Sequence, residues 1–162
     1  WRRSFRRIIK KNDNISLRLA PRQFKEEHFS LYLAYQSARH RGDGMDDSDP
    51  VKYQQFMTNS EIDSFMMELR DGDRLLAVSV LDRVVDGLSA VYTFFEPAED
   101  HRSLGTLAIL RQIDLALSAG HDYLYLGYWI SDCSKMSYKE RFSPLEEFDT
   151  NAQLWLLHPS VR

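Results

Sequence analysis

Residues 87–130, GLSAVYTFFEPAEDHRSLGTLAILRQIDLALSAGHDYLYLGYWI, decide the fold of this chain. Residues 88–95 follow a two-residue period, and residues 123–129 are rich in aromatic and bulky apolar side chains, so we predict a strand in each range. Between them, leucines and isoleucines recur every three or four residues from Leu104 to Leu117, which predicts a helix that Gly120 ends. A strand, a helix and a second strand in this order form a right-handed crossover whose two strands are parallel.

The residues before this unit predict two helices and two more strands. Apolar side chains spaced by three and four residues over 21–40 predict an amphipathic helix, and residues 49–57 predict a short helix that Asp49 caps. Residues 62–73 and 74–84 follow a two-residue period, with turns at Asp71–Gly72 and near Asp86–Gly87. Together with 87–97 they predict a three-stranded antiparallel meander.

The complete order of elements predicts an α+β fold. Residues 134–140 predict another short helix and residues 152–158 a last strand. The sheet is therefore expected to be mixed, with one parallel pair. This order matches the acyl-CoA N-acyltransferase fold of the GCN5-related N-acetyltransferases, in which the two parallel strands splay apart. A fold by itself does not establish a function.

The composition is that of an ordinary globular protein. The chain has 162 residues, of which 43% are hydrophobic and 28% charged, which is enough for one domain over 21–162. No apolar run approaches the roughly 18 residues that span a membrane, and no signal peptide is recognisable, so we expect a cytoplasmic protein with no membrane partner. Cys133 is the only cysteine, which excludes an intrachain disulfide framework and a thiolate zinc site.

The first residues are strongly basic. WRRSFRRIIKK contributes a charge of +6 to a chain whose net charge is −3, so the remainder carries −9. Its cations are Arg2, Arg3, Arg6, Arg7, Lys10 and Lys11. Residues 1–20 are interpreted as a basic arm or linker from a missing N-terminal region. Such an arm either contacts an anionic partner such as nucleic acid or is a solvated connection to that region.

The junction between strand 88–95 and the long helix is a candidate anion site. A polar loop there carries Arg102, Ser103 and Gly105 into the helix, whose first N–H groups are free to bind an anion. Gly105 would let a ligand approach the backbone closely. In acetyltransferases this junction holds the pyrophosphate of coenzyme A. The alternative is an ordinary helix start that Ser103 caps, beside a solvated Arg102.

A second group of cations follows the predicted strand 123–129. Lys135, Lys139 and Arg141 alternate there with aromatic and apolar residues. On an α-helix Lys135 and Lys139 share a face, and a guanidinium such as that of Arg141 suits a bidentate grip on a carboxylate or phosphate. The alternative is a solvated helix whose packing side is formed by Met136, Tyr138 and Phe142.

These motifs resemble the C-terminal domain of the arginyl/leucyl-tRNA–protein transferases. The resemblance rests on RSLGT between strand and helix and on GYWI, KM, YK, RF and PLE in order over 127–146, and it extends to RRSFRRIIKKN at 2–12 and to residues 26–45. Within the family the bacterial, leucine-transferring branch is the closer match. The family's N-terminal region with its clustered cysteines is absent from this sequence. The family's catalytic domain has the acetyltransferase-like fold predicted above.

The resemblance implies transfer of an amino acid, leucine or arginine, from a charged tRNA to the N-terminal Asp or Glu of a protein, which marks that protein for N-degron degradation. No cofactor is implied beyond the aminoacyl-tRNA co-substrate, no metal site is expected in these residues, and Cys133 is not required as a nucleophile. Two further interpretations stay open: a non-catalytic module that recognises acidic N-termini, and an acetyl-CoA N-acetyltransferase.

Roles for particular residues follow from the same resemblance. Candidate general bases are Glu96 and His101. Contacts to the aminoacyl-tRNA are expected from the helix start and from aromatic residues that would stack on the terminal adenosine or line the aminoacyl pocket, namely Arg102, Ser103, Gly105, Thr106, Tyr92 and Trp129. The acceptor carboxylate is assigned to Arg141 with Lys135 or Lys139. A competing assignment gives these cations to tRNA phosphates and the acceptor to Arg39 and His40.

Overall fold

A computed structural model of the chain describes residues 1–39, 49–130 and 133–158. They fall into two compact units, Trp1–Tyr125 and Leu126–Arg162. The first unit contains four α-helices, five strands and one 3₁₀ helix among its described residues: α1 (Arg3–Lys11), β1 (Ile15–Pro21), α2 (Glu26–Arg39), α3 (Pro50–Met57), β2 (Ser64–Asp71), β3 (Arg74–Val84), β4 (Gly87–Phe95), the 3₁₀ helix η1 (Pro97–Arg102), α4 (Leu104–Ser118) and β5 (Tyr123–Tyr125).

The five strands form one mixed sheet in the order β1-β2-β3-β4-β5. The predicted meander is confirmed, because β2, β3 and β4 pair antiparallel in sequence, and the predicted parallel pair is confirmed between β4 and β5. Gly87 makes this pairing possible: a Cβ there would lie 2.4 Å from the main-chain oxygen of Tyr123, so no larger residue fits. The chain is therefore a mixed α/β fold.

The fifth strand is shorter than predicted. It pairs with β4 only from Tyr123 to Tyr125, opposite 87–89, whereas the sequence predicted a strand to residue 129. Gly127 has a φ of +77°, a left-handed conformation that interrupts an extended chain. The aromatic run after Tyr125 therefore does not continue the sheet.

Helices cover both faces of this sheet because successive residues of each strand point to opposite sides. Met67 and Leu69 of β2 pack with Leu107 of α4, and Ile8 of α1 joins this cluster. Met66, on the opposite face of β2, packs with residues of α2 and α3 that include Tyr32 and Tyr53. These apolar contacts form the two cores of the first unit.

Residues 1–20 are not simply a linker. Residues 3–11 form α1, whose Phe5 is 2% exposed, and β1 pairs along its whole length with β2 as an edge strand of the sheet. Neither element was predicted; for α1 the reason is that the six cations masked the apolar spacing of Phe5, Ile8 and Ile9. The basic segment is part of the first compact unit.

The second unit contains η2 (Ser134–Arg141) and a two-stranded antiparallel sheet of β6 (Glu146–Asp149) and β7 (Leu154–Leu157). The predicted last strand is confirmed, although its partner β6 was not predicted. η2 is a 3₁₀ helix, in which residues four apart do not share a face as they would on an α-helix. The Ser137 hydroxyl donates to the Ser134 carbonyl oxygen at 2.8 Å, a local bond that competes with regular helix geometry.

None of the helices in the described parts of the chain is long and apolar enough to cross a bilayer.

Candidate functional site

The start of α4 is built differently from an ordinary capped helix. Ser103 stands at the N-cap in a left-handed conformation, φ 55° and ψ 47°, and its side chain makes no capping hydrogen bond to α4. Its main-chain oxygen accepts from the Leu107 N–H at 3.0 Å, so the helix begins through the backbone. The interpretation of Ser103 as a side-chain cap is therefore wrong, because its hydroxyl makes no hydrogen bond to the N–H groups at the start of α4. Ser103 is exposed.

Arg102 is anchored within the first unit. Its guanidinium contacts Asp71 Oδ2 at 2.9 Å and Glu99 Oε2 at 3.1 Å, and its side chain is 18% exposed. The alternative of a solvated Arg102 is wrong. Its Nη1 is buried, and the N–H groups on this nitrogen have no hydrogen-bond partner among the described residues. An anion at this junction would meet a guanidinium that two carboxylates already hold in place.

Gly105 lies against an aromatic ring. A Cβ at this position would be 3.0 Å from Cε1 and 3.3 Å from Cζ of Phe95. The Phe95 ring packs on Tyr35, with 4.9 Å between the two ring centroids. The Arg39 guanidinium lies over the Phe95 ring, 4.9 Å from its centroid. The missing side chain of Gly105 is thus explained by packing. Thr106, one residue further along α4, is half-buried.

The two candidate bases lie at η1: Glu96 is its N-cap, and His101 belongs to its last turn. Glu96 accepts from the Ala98 N–H at 3.2 Å and lies 3.4 Å from Nη2 of Arg74, so its carboxylate both caps η1 and joins an ion pair. His101 is largely exposed, and its ring contacts Glu99 Oε2 at 3.6 Å. The structure therefore places Glu96, His101, Arg102 and Ser103 within eight consecutive residues at the end of β4 and the start of α4. Their catalytic roles stay predictions.

Arg39 lies at the end of α2, beside this junction. Its guanidinium is 3.7 Å from Asp100 Oδ1 and stacks on Phe95, while about half of the side chain stays exposed. His40, its predicted partner in binding the acceptor, lies outside the described residues.

The two candidate aromatics occupy different surroundings. Tyr92 is half-buried in a cluster of rings, 5.6 Å from Phe56 and 6.4 Å from both Tyr32 and Phe94 between centroids. Burial raises its pKa, and its hydroxyl has no hydrogen-bond partner in the described part of the chain. Trp129 belongs to the second unit, where its ring meets His158 edge-on at 5.7 Å.

The cations of the second unit are not equivalent. Lys139 is only 6% exposed, its Nζ donates to the main-chain oxygen of Tyr128, and burial lowers its pKa. Arg141 is exposed. The side chain of Lys135 lies outside the described part of the structure. The shared α-helical face predicted for Lys135 and Lys139 is wrong, because η2 is a 3₁₀ helix.

Sequence reasoning missed a buried ionic network between α2 and β2. Glu68 is 3% exposed and accepts from Lys25 at 2.6 Å, Arg70 at 2.7 Å and the fully buried His28 at 2.8 Å. Arg70 also forms a bidentate pair with Glu27, at 2.6 and 3.0 Å. A signal was present, since Glu68 and Arg70 alternate with apolar residues in the predicted strand, and the structure buries all six inner positions of β2.

This network shifts the acid–base properties of its members. Although burial alone would raise it, the hydrogen bonds from Lys25, Arg70 and His28 lower the pKa of Glu68 to about 2. Burial, which outweighs the bond to Glu68, lowers the pKa of His28. The hydrogen bond from Arg70 lowers the pKa of Glu27. The ionised carboxylates and the neutral imidazole hold the start of α2 on the sheet.

No group of three or more His, Cys, Asp or Glu side chains among the described residues is arranged to hold a metal ion. The expectation that the reaction needs no cofactor stays a prediction.

Comparisons with known proteins identify relatives over most of the chain. The family described as "Arginine-tRNA-protein transferase, C terminus" matches residues 27–149. An aspartate/glutamate leucyltransferase of Thiobacillus denitrificans is 49% identical over 144 residues, which are 89% of this chain and 60% of that protein. The protein of the same name from Chromobacterium violaceum is 44% identical over 144 residues, again 89% of this chain and 60% of that protein. That from Alkalilimnicola ehrlichii is 46% identical over 156 residues, 96% of this chain and 64% of that protein. The chain thus spans about 60% of the length of the curated relatives it matches.

Proposed function

This chain belongs to the family of arginine-tRNA-protein transferase C-terminal domains, and we propose that it carries the transferase site of an aminoacyl-tRNA–protein transferase. The donor is leucyl-tRNA and the acceptor is a protein that begins with Asp or Glu. The observation that carries this proposal is the similarity over 89% of the chain to proteins named aspartate/glutamate leucyltransferase. The product, a protein with a new N-terminal leucine, would enter N-degron degradation in the cytoplasm, where charged tRNA is found.

The fold of the first unit supports a site of the acetyltransferase type. β5 pairs with β4 over residues 87–89 only, and β4 continues to Phe95 beyond this pairing. The end of β4, where η1 and α4 begin, thus lies beyond its pairing with β5. We propose that the 3′ end of the donor tRNA is held there, as coenzyme A is held in the acetyltransferase-like fold.

The chemistry needs no covalent intermediate. The acceptor's neutral α-amine attacks the carbonyl carbon of the aminoacyl ester, a new amide bond forms, and the ester C–O bond breaks. The 3′-terminal ribose oxygen leaves and takes up a proton, while the attacking nitrogen loses one to a base. An α-amino group with a pKa of about 7.7–8.0 is partly neutral near neutral pH, so positioning supplies most of the catalysis.

We assign the base to His101 or Glu96. His101 is the more accessible of the two, while Glu96 is engaged with Arg74 and the start of η1. A base at this position stands beside the donor contacts proposed for α4. Those contacts are Arg102, the Ser103 hydroxyl, the backbone at Gly105 and the Thr106 side chain, with Tyr92 as a stacking or pocket residue. The same role for Trp129, in the second unit, stays a prediction.

Recognition of the acceptor requires a cation for its Asp or Glu side chain. We assign this role to Arg141, an exposed residue, because a planar guanidinium can bind a carboxylate through two parallel hydrogen bonds. Lys139 is a weaker candidate because its amine already donates to Tyr128, so it would serve to position the chain around Arg141. Lys135 remains a second candidate. The competing assignment is Arg39 with His40.

One experiment tests donor and acceptor together. The intact natural protein is incubated with leucyl-tRNA or arginyl-tRNA and peptides that begin with Asp, Glu or Asn, and the products are identified by mass. We expect one leucyl residue to be added to the Asp and Glu peptides only. Addition of arginine instead would assign the chain to arginyl transfer, and acetyl-CoA-dependent acetylation or peptide binding without tRNA binding would contradict the proposal.

A further inference from the structure

The surface of α1 is divided between apolar and basic side chains. Phe5, Ile8 and Asn12 lie on the side that packs against the first unit, and Phe5 and Asn12 are nearly or fully buried. At 100° per residue, the six cations occupy the opposite half of the helix. All six are exposed: Arg2, Arg3, Arg6, Arg7, Lys10 and Lys11. A helix of nine residues is about 14 Å long, so this face concentrates positive charge on a short, rigid surface.

These cations differ from most other cations of the first unit in having no carboxylate partners among the described residues. Among the described residues, none of the six forms an ion pair, and Lys11 donates instead to the main-chain oxygen of His101 at 2.6 Å. Elsewhere in the same unit, ion pairs hold most guanidinium and ammonium groups, including those of Arg22, Lys25, Arg70, Arg74, Arg83 and Arg102. The face of α1 therefore carries positive charge that no ion pair within the described residues holds.

The charge pattern is unfavourable for the helix itself. Arg3 and Arg7 are four residues apart, as are Arg6 and Lys10, and like charges at this spacing destabilise a helix. Arginines at the beginning of α1 also oppose the helix dipole, which favours acidic residues there, and its first turn contains none. An anionic partner along this face would remove both penalties. Helix stability therefore does not account for the arrangement.

The position of α1 relates this face to the proposed donor site. Lys11 contacts His101, and the Asn12 amide donates to the main-chain oxygen of Arg102 at 3.0 Å. The C-terminal end of α1 is thus fixed to the residues immediately before α4. A polyanion that lies along α1 would reach the junction where the 3′ end of the tRNA is proposed to bind.

We propose that the exposed face of α1 binds the phosphate backbone of the acceptor stem of the donor tRNA. This rests on the proposed function and adds the surface that holds the RNA. Lysines and arginines spread over half a helix neutralise phosphates but make no sequence-specific contacts to the bases. The contact therefore positions the duplex and makes its affinity depend on salt concentration. A membrane surface is disfavoured because Phe5 is buried in the protein and Ile8 is half-buried against its core, so the apolar side of α1 faces the protein rather than a bilayer.

The test replaces the central cations of this face in the intact natural protein. The triple variant Arg3→Gln, Arg7→Gln, Lys10→Gln removes three charges, and a charge-conserving variant carries Arg3→Lys and Arg7→Lys. The single changes Arg7→Gln and Arg18→Gln form a matched pair, because Arg18 is an exposed cation on β1, outside the face. Binding of deacylated tRNA is measured over a range of salt concentrations, and leucine transfer is measured at saturating leucyl-tRNA.

We expect the triple variant to bind tRNA about 10- to 100-fold more weakly near 0.1 M salt, with a salt slope smaller by about 2 to 3. The variant with Arg3→Lys and Arg7→Lys and the variant Arg18→Gln should bind tRNA as tightly as the wild type. The loss in the triple variant should appear in tRNA binding and not in kcat at saturating leucyl-tRNA. If the wild type transfers leucine while the triple variant keeps its Kd and salt slope, the α1 surface is wrong and the proposed function stands. An equal loss in the lysine variant, or binding of anionic vesicles in place of tRNA, would also overturn it. A wild type that neither binds tRNA nor transfers leucine contradicts the proposed function itself.

Discussion

Asn12 Nδ2 donates to the main-chain oxygen of Arg102 at 3.0 Å, across 90 positions of the sequence. The same amide donates to the Ile8 oxygen at 2.8 Å, and the Asn12 side chain is fully buried. One amide therefore ends α1 and joins it to the residue that precedes the N-cap of α4. The basic helix and the candidate donor site are held together by a bond that no sequence pattern indicates.

Asn12→Ala is expected to lower the free energy of unfolding by about 1–3 kcal/mol, because the main-chain oxygens of Ile8 and Arg102 lose a donor in part-buried hydrogen bonds. Urea unfolding followed by circular dichroism measures the loss. Asn14→Ala, two residues away and exposed, should change it by less than about 0.5 kcal/mol. Equal effects of the two substitutions would show that the bond to Arg102 adds no stability.

Glu68→Gln is expected to destabilise the first unit by about 3–5 kcal/mol. The substitution keeps the volume of the side chain but places a neutral amide against Lys25 and Arg70, so Arg70 retains only Glu27 as a carboxylate partner. Removing one partner of a buried ion pair is costly. Glu61→Gln, on an exposed residue, is the matched control. If the two variants unfold at the same denaturant concentration, the network contributes little to the stability of the first unit.

Stability should fall as the pH falls below about 6.5. The pKa of His28 is lowered in the folded protein, so the buried imidazole is neutral there, whereas the unfolded chain protonates it below its ordinary value near 6.5. Unfolding then takes up a proton, and stability decreases by up to about 1.4 kcal/mol per pH unit. Unfolding measured between pH 7 and 5 tests this, and His28→Gln should flatten the profile in that window although it is less stable at pH 7.

A second loss is expected at lower pH from Glu68. Its pKa is lowered to about 2, so its contribution to stability is complete above the unfolded value near 4.3 and is lost as the pH falls from there towards 2. A profile of His28→Gln that kept the full wild-type slope between pH 7 and 5 would contradict the assignment to His28.

The sheet could be predicted from the sequence because its signals are local. The two-residue period of β2 to β4, the turns at Gly72 and near Gly87, and the leucines of α4 each act within a few residues, and the parallel pair follows from the order of elements. β1 and α1 could not be predicted in this way. The strand Ile15–Pro21 is stabilised by pairing with β2, and α1 by burial of Phe5, so both depend on contacts distant in sequence.

The candidate site was predicted as a set of positions but not as a set of partners. Arg102 was expected to face solvent or an anion, yet Asp71 and Glu99 hold it, and neither carboxylate is next to it in the sequence. Gly105 suggested close approach of a ligand, and the ring of Phe95 fills that space. Sequence spacing indicates which residues reach a junction, whereas tertiary packing decides what they touch.

Gly105→Ala tests whether packing explains this glycine. The new Cβ would stand about 3.0 Å from the Phe95 ring, so we expect overpacking of about 1–3 kcal/mol, partly offset by the gain of about 1 kcal/mol from alanine in a helix. Phe95→Leu shortens the opposing side chain, and the double variant should recover the helix gain. Thermal unfolding of the four proteins gives the coupling energy, and additive effects would show that the ring does not restrict the site.

Arg141→Ala tests the proposed recognition of the acceptor. If its guanidinium holds the acceptor carboxylate, transfer to an Asp-starting peptide should fall by about 10- to 100-fold, since charge-assisted hydrogen bonds to carboxylates contribute about 1.5–3 kcal/mol. The residual transfer to the Asn-starting peptide, which has no carboxylate to lose, should stay near its wild-type level. Arg39→Ala is the matched variant for the competing assignment, because Arg39 is also a partly exposed arginine. Preference for Asp over Asn is measured for both variants at subsaturating peptide. An equal decrease on both peptides in Arg141→Ala would place Arg141 in donor binding or folding, and a loss of preference only in Arg39→Ala would move acceptor recognition to the end of α2.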